Sequence, residues 1–173
     1  MLTDEDAADF TVRRKLVSIG RDYNIEDKNG NVVFRVDGKV RFARTFTITD
    51  RERNVLLSIR EKLLSIDALF VIKRDDRNIA LVRRRSYRDQ ANVRFEIELH
   101  GGITMKASGS FFDTGGIRIM RGEAIAGVVK KKEYTAISEI YFVNTDPGED
   151  QSLLLGIAMC IVEMSPARDE DHN

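Results

Sequence analysis

Several features are scarce or missing in this chain, and each absence narrows the class of protein. Cys160 is its single cysteine, so an internal disulfide is impossible and a reducing cytosol is the expected compartment. No basic, apolar and small-residue pattern typical of a secretory signal peptide opens the sequence, which supports the same expectation. No apolar run reaches the roughly 20 residues of a membrane span, so we expect no transmembrane segment.

A net charge is also absent. Lys plus Arg equals Asp plus Glu at 28 each, and the pI is about 6.8. The chain therefore has no overall basic field that would attract it to nucleic acid or to an anionic membrane, and any such binding needs a local patch.

The composition and length that remain are those of one globular domain. Hydrophobic residues make up 42% of the 173 positions and charged residues 32%, which lies in the ordinary range for folded proteins. We expect a domain over residues 10–164. A disordered acidic tail at residues 1–9 and a polar tail at residues 165–173 flank it.

Alternation of apolar and polar residues dominates the sequence and predicts strands with one buried face. In Val93–Leu99 the apolar side chains alternate with Arg94, Glu96 and Glu98. Phe46 and Ile48 alternate with threonines in the same manner. Helical periodicity is scarce, so the fold class is mainly β.

Turn-forming residues separate these runs at short intervals. They include Asn29-Gly30, Asp37-Gly38 and Gly101-Gly102, as well as the stretch DDRN at residues 75–78. About twelve candidate strands fit between residues 10 and 143, which favours an antiparallel meander closed as a barrel or packed as a sandwich.

A weak internal repeat favours two similar half-barrels. The segment VLLSIREK at residues 55–62, followed by an apolar strand at residues 69–73, resembles IAGVVKKK at residues 125–132, followed by residues 141–144. In each copy an apolar strand ends in a basic cluster and a bend, and a second apolar strand returns.

A helix is predicted over residues 152–164, where the sequence is SLLLGIAMCIVEM. Pro147 breaks the preceding strand, and Asp150 or Ser152 can cap the free amide groups of the first helical turn. Apolar residues cover all sides of this helix, so it has no face to offer water and must be surrounded. They are Leu153, Leu154, Leu155, Ile157, Ala158, Met159, Cys160, Ile161 and Val162.

The surroundings of this helix decide the architecture. An apolar stretch of 10 to 14 residues is more often a buried core helix than a membrane span. An eight-stranded barrel has room only for side chains, whereas a barrel of about eleven strands can hold a central helix. The sequence therefore predicts a closed antiparallel barrel of about twelve strands around a C-terminal hydrophobic helix.

Three stretches carry a resemblance to a known family. They are YNIEDKNGNVVFRVDG at residues 23–38, IREKLLS at residues 59–65 and LLLGIA at residues 153–158. Over residues 16–164 the pattern resembles the LURP-one-related family, which shares the tubby C-terminal fold with tubby-like proteins and phospholipid scramblases. The resemblance implies a twelve-stranded barrel around a C-terminal helix, and it hints at a membrane surface.

Basic clusters are the first candidate sites. An anion patch for inositol phosphates or lipid headgroups would form if they converged at one end of the barrel. The plain alternative is solvated strand ends whose charge is cancelled by acidic neighbours. The patch comprises Arg83, Arg84, Arg85, Arg88, Lys130, Lys131 and Lys132, and a further basic cluster is Arg13, Arg14 and Lys15.

Catalytic and metal sites find little support. His100 is the only histidine outside the tail and is interpreted as a turn residue, while Cys160 falls in the predicted core helix. Together they supply too few ligands for zinc, so we expect no metal and no cofactor. Glu96 and Glu98 share a solvent face, and Glu163 is predicted to pair with a basic strand residue near the barrel mouth.

These residues support three functional hypotheses. The favoured one is a non-enzymatic tubby-like module that binds anionic lipid headgroups, including phosphoinositides, or a protein partner through one rim. The alternatives are a small-ligand carrier barrel and an enzyme of unrecognised type. Nucleic acid is disfavoured because the basic stripe with stacking aromatics is missing. The expected location is the cytoplasm, with a peripheral position at the membrane left open.

Overall fold

Twelve antiparallel strands close into one barrel, as predicted from the strand count and the hydrophobic helix together. In the computed structural model, which describes residues 9–15, 19–85, 92–135 and 138–165, each strand pairs with its neighbours in sequence and β1 pairs with β12. The strands are β1 (Phe10–Arg14), β2 (Tyr23–Glu26), β3 (Val32–Val40), β4 (Arg44–Thr49), β5 (Val55–Glu61), β6 (Leu69–Arg74), β7 (Arg77–Arg84), β8 (Val93–Leu99), β9 (Thr104–Ser110), β10 (Gly116–Arg121), β11 (Ala124–Thr135) and β12 (Ser138–Thr145).

The period-two pattern divides each strand into an inner and an outer face. On β8, Val93, Phe95 and Ile97 point inward and are buried, whereas Arg94 and Glu98 face solvent. Phe46 and Ile48 on β4 are buried in the same way. Because successive side chains of a strand point to opposite faces, the sequence pattern defines the lining of the barrel.

One predicted turn is wrong. Asp37-Gly38 lies inside β3, and the chain reverses instead at residues 41–43. A Cβ atom at Gly38 would collide with the carbonyl oxygen of Arg21 and with the ring of Phe46. Glycine is needed here for a close approach of another chain segment, which is its other common role in a strand.

Helix α1 (Gln151–Glu163) runs through the barrel, which confirms the prediction for this segment. Asp150 is the N-cap, and its carboxylate accepts a hydrogen bond of 3.1 Å from the amide of Leu153. All the apolar residues predicted to need enclosure are buried. The described part of the chain contains no helix long and apolar enough to cross a bilayer.

Glycines set how closely α1 approaches the wall. A Cβ atom at Gly156 would lie 2.8 Å from Cδ1 of Leu57 on β5. On the opposite side, a Cβ atom at Gly127 of β11 would lie 3.2 Å from Cδ1 of Leu154. The helix therefore fits tightly between two sides of the barrel, in the space that a bound small ligand would need.

The sequence repeat corresponds to equivalent places in the barrel. The hairpins β5–β6 and β11–β12 lie six strands apart in the closed order of twelve, on opposite sides of the barrel. Their registers match, since Ile59 pairs with Ile72 and Val129 pairs with Val143. Helix α1 packs mainly on these two hairpins. Most of the two predicted tails, residues 1–8 and 166–173, falls outside the described residues.

Candidate functional site

The two ends of the barrel differ, and each is defined by an end of α1. The C-terminal rim is the end where α1 stops, and its described loops are residues 15, 19–22, 41–43, 62–68, 85, 92 and 111–115. The N-terminal rim is the opposite end, with loops 27–31, 50–54, 75–76, 100–103, 122–123 and 146–150. Contacts at the helix ends support this orientation, because Glu163 lies beside Arg44 at the start of β4 and Asp150 pairs with Arg74 at the end of β6.

A buried carboxylate lies beneath the C-terminal rim. The side chain of Glu163 is fully enclosed and accepts a hydrogen bond of 2.6 Å from the hydroxyl group of Tyr23. Arg21 also donates to this carboxylate, and a guanidinium nitrogen of Arg44 lies 3.8 Å from it. The predicted pairing of Glu163 with basic residues is therefore confirmed. A buried charge needs such partners because its desolvation is costly.

Two arginines complete the end of the helix. Arg44 donates to the carbonyl oxygen of Glu163, and Arg84 donates to the carbonyl oxygen of Met164 at 2.9 Å. The last carbonyl groups of a helix lack partners within it and carry partial negative charge, so arginine donors suit this position. Arg84 is buried in the barrel wall and does not extend the outer face of the patch proposed from the sequence.

Arg44 also holds Glu61 at the end of β5. Two nitrogens of its guanidinium donate to the Glu61 carboxylate at 2.9 and 2.8 Å, and its backbone amide donates at 3.1 Å. The hydrogen bonds from the Arg44 side chain hold the pKa of Glu61 below its ordinary value, although partial burial opposes the shift. This carboxylate is ionised at neutral pH and has a structural partner.

A second buried carboxylate contacts the basic cluster of Arg13, Arg14 and Lys15. Glu139 on β12 accepts hydrogen bonds of 3.0 Å from both Arg14 and the hydroxyl group of Tyr141. Arg13 points outward and pairs with Glu26 at 3.2 Å. The guanidinium groups of this cluster therefore stabilise the junction of β1 with its neighbours.

Arg83 and Arg85, the outward-facing arginines of the predicted anion patch, pair with acidic residues. Arg83 lies 3.9 Å from Asp67, and Arg85 lies 3.2 Å from Asp67 and 3.4 Å from Glu96. The contacts with Glu96 and with Asp67 raise the pKa of Arg85 further above its ordinary value. Acidic neighbours therefore offset the charge of these two arginines, as in the alternative to an anion patch that the sequence left open. The fourth predicted member, Arg88, lies outside the described residues.

The lysine cluster (Lys130, Lys131, Lys132) lines a surface pocket of about 370 Å³ next to the C-terminal rim. Phe111, the exposed Phe112 and Phe142 contribute its apolar part, and Asp113 is its one acidic lining residue among those described. The ammonium group of Lys132 lies 5.1 Å from the centre of the Phe142 ring, within the range of a cation–π contact. We call this the lysine pocket.

The two predicted parts of the anion patch do not meet on the outer wall. Both lie towards the C-terminal rim, but β8, β9 and β10 separate β7 from β11. At a strand spacing of about 4.8 Å, four steps around the wall correspond to about 19 Å. The lysine pocket is thus a site of its own, separate from the Arg83 and Arg85 pairs.

A second basic pocket occupies the repeat-related position. This arginine pocket, with a volume of about 540 Å³, is lined by Arg60, Lys62 and Lys73, by the acidic Glu61, and by Leu63 and Leu64 of the β5–β6 loop. Arg60 pairs with Val71 just as Lys130 pairs with Phe142, so the two pockets occupy equivalent places six strands apart. Sequence reasoning missed this pocket, although the internal repeat contained the signal.

Exposed apolar side chains also concentrate at this end of the barrel. Seven of the ten large hydrophobic residues that are exposed among those described belong to the C-terminal rim or to the adjoining strand end. The sequence analysis missed this set because the rim brings together residues from distant loops. The seven residues, called the apolar rim set below, are Ile19, Val40, Phe42, Leu63, Leu64, Ile66 and Phe112.

The remaining candidates form no reactive site in the described structure. His100 lies in the turn after β8, as predicted, and Cys160 is buried in α1, where burial raises the pKa of its thiol. The described residues contain no group of three or more potential metal ligands. Gly101 and Gly102 occupy the loop between β8 and β9 with positive φ angles, which is the role of hairpin glycines.

These observations define a class of protein: a closed twelve-stranded antiparallel barrel that encloses a hydrophobic helix and carries basic pockets at one rim. The model of the LURP-one-related family matches residues 8–162 of this chain, which therefore belongs to that family. No curated protein and no solved structure shows a significant match to it.

Proposed function

We propose that this protein is a non-enzymatic binding module that recognises anionic lipid headgroups, including phosphoinositides, at the lysine pocket. The observation that carries the proposal is a pocket of about 370 Å³ whose lining includes three lysines and three phenylalanines. Lysine is a common ligand of phosphate groups, and clustered lysines near a membrane attract its anionic lipids.

The shape of the pocket supports a headgroup as its occupant. It lies on the outer wall next to the rim, where a headgroup can enter without displacing α1. Its three lysines outnumber its single aspartate, so its formal charge favours an anion. A carrier function has less support, because the tight fit at Gly156 and Gly127 leaves the axis of the barrel to the helix.

The fold that this family shares is consistent with the proposal. A barrel of this type presents loops at two rims and contains no cluster of metal ligands among its described residues. A cytosolic protein that associates peripherally with membranes fits these features. A protein partner at the same rim is the competing occupant, and the experiment below distinguishes the two.

Vesicle flotation tests the proposal directly. The protein should float with phosphatidylcholine vesicles that contain phosphatidylserine or a phosphoinositide and should remain behind with pure phosphatidylcholine. Recovery should fall as the salt concentration rises, since exposed charges are screened. Equal recovery on anionic and neutral vesicles would overturn the lipid proposal.

Substitution of the lysine cluster tests its location. The triple variant Lys130→Gln, Lys131→Gln, Lys132→Gln should bind anionic vesicles about 100-fold more weakly, at about 1 kcal/mol for each lysine near the surface. The matched control is Arg83→Gln with Arg85→Gln, which removes charges that pair with Asp67 and Glu96 and should weaken binding far less. Normal binding by the lysine variant would exclude this pocket as the site.

A further inference from the structure

The charges of this protein are balanced overall but unevenly distributed along the barrel axis. The described loops of the N-terminal rim contain nine acidic residues and three basic ones, whereas those of the C-terminal rim contain five basic and three acidic residues. The lysine cluster of the lysine pocket and Arg60 of the arginine pocket add further cations next to the C-terminal rim. An anionic surface would therefore attract the C-terminal rim and repel the opposite one.

Apolar side chains distinguish the same rim. Leu64 and Ile66 in the β5–β6 loop are fully exposed, and Phe42 in the β3–β4 loop is nearly so. The exposed large apolar residues described at the N-terminal end are Val55, Ile103 and Ile125, and each is only about half exposed. A soluble protein that exposes several large apolar side chains on neighbouring loops usually contacts a partner or a membrane there.

The positions of the two pockets indicate the shape of that partner. The lysine pocket lies beside β11 and the arginine pocket beside β5, six strands apart on opposite sides of the barrel. A small ligand can occupy only one of them at a time. A flat surface perpendicular to the barrel axis meets both pockets together with the apolar rim set between them.

We propose that the C-terminal rim docks end-on on an anionic lipid bilayer. The loops at residues 41–43, 62–68 and 111–115 insert their apolar side chains below the headgroups. The lysine and arginine pockets then hold headgroups on opposite sides of the barrel. The inference rests on the proposed headgroup binding, and it adds an orientation, an inserted surface and a second site. Apolar insertion and electrostatic attraction are the two contributions that hold peripheral proteins on membranes.

Single tryptophans report the insertion, because the chain contains none of its own. Phe42→Trp and Phe112→Trp place the reporter on the C-terminal rim, and Ile103→Trp places it on the opposite rim as a control. With phosphatidylcholine vesicles that contain phosphatidylserine, emission from positions 42 and 112 should shift to shorter wavelength and should be quenched by brominated lipids. Emission from position 103 should stay unchanged.

Removal of apolar side chains tests their contribution to affinity. Leu63→Ser with Leu64→Ser should weaken binding to the same vesicles by about 100-fold, since each buried leucine accounts for about a tenfold change. Ile103→Ser with Ile125→Ser is the matched control and should bind normally. Circular dichroism of all variants checks that the fold is retained.

The outcomes separate this inference from the proposed function. Binding to anionic vesicles with unshifted tryptophan emission at positions 42 and 112 overturns the end-on docking and leaves headgroup binding intact. If the unsubstituted protein does not bind anionic vesicles at all, both the docking and the proposed headgroup binding are overturned. Self-association through the rim without vesicle binding, measured by analytical ultracentrifugation, assigns the rim to a protein interface and also overturns the docking.

The arginine pocket has a test of its own. Arg60→Gln with Lys62→Gln should weaken binding to anionic vesicles about as much as two substitutions in the lysine cluster do. The conservative pair Arg60→Lys with Lys62→Arg should restore it. An unchanged affinity in the glutamine variant overturns the second site.

Discussion

Tyr23 at the start of β2 and Glu163 at the end of α1 are joined by a buried hydrogen bond of 2.6 Å, although 140 residues separate them in the sequence. Arg21, which precedes β2, donates to the same carboxylate. This contact fastens the end of the central helix to the first hairpin of the barrel. It also places ionic partners directly beneath the proposed membrane-facing rim.

Loss of the Glu163 charge should destabilise the fold. Glu163→Gln keeps an acceptor for Tyr23 but leaves Arg21 and Arg44 without this buried carboxylate, so we expect the free energy of unfolding to fall by about 2 kcal/mol or more. Urea denaturation measures the change. Glu98→Gln on the exposed face of β8 is the control and should stay within about 0.5 kcal/mol. Equal stabilities of the two variants would contradict a structural role for Glu163.

The cap of α1 should make stability depend on pH. Partial burial opposes ionisation of Asp150, but hydrogen bonds from Arg74, the amide of Leu153 and Ser152 hold its pKa below the ordinary value. Since the pKa is lower in the folded than in the unfolded state, the stabilisation is complete above the unfolded value of about 4 and is lost as the pH falls through the folded value.

Two substitutions separate the charge of Asp150 from its capping role. Asp150→Asn keeps a good N-cap acceptor and removes the ion pair with Arg74, which should cost about 0.2–1 kcal/mol at neutral pH. Asp150→Ala loses the cap as well and should cost about 1 kcal/mol more. Urea denaturation at neutral and acidic pH measures both. If the Asn variant keeps the full pH dependence of the parent, another group is responsible for it.

The close approach at Gly156 predicts that replacing this helical glycine by alanine lowers the stability of the protein, although such a replacement usually raises it. Gly156→Ala should raise helix propensity by about 1 kcal/mol, yet the new methyl group meets Leu57 in a packed core, where overpacking costs about 1–3 kcal/mol. We expect a net loss of stability in thermal unfolding. The double variant with Leu57→Val should lose less stability than the sum of the two single variants, because the smaller valine makes room for the new methyl group. An increase in stability from Gly156→Ala alone would contradict the tight fit.

The fold could be predicted in detail because its signals are local. The alternation on β8 and β4 identifies which side chains line the barrel, since a strand repeats every two residues. The helix lacks a polar face over residues 153–162, which requires enclosure on all sides. The same reasoning also failed locally, because Gly38 looked like a turn residue while its actual role depends on Arg21 and Phe46.

Part of the site was also within reach of the sequence. The period-two rule alone places Arg84 on the opposite face from Arg83 and Arg85, so its inward position as a donor to Met164 follows from the pattern that defined the strands. The repeat likewise connects Arg60 with Lys130, and a reading of their equal registers would have found the arginine pocket.

The sequence by itself determined most of the strands and the buried helix, since each depends on residues within one turn or one strand of each other. Only the tertiary structure decided which end of the barrel is basic and apolar, which cations share a pocket and which arginines join Glu163. Those groupings depend on the closure of β1 onto β12 and on the direction of α1 inside the barrel. Closure and direction bring together side chains from loops far apart along the chain, and no local pattern encodes their distance.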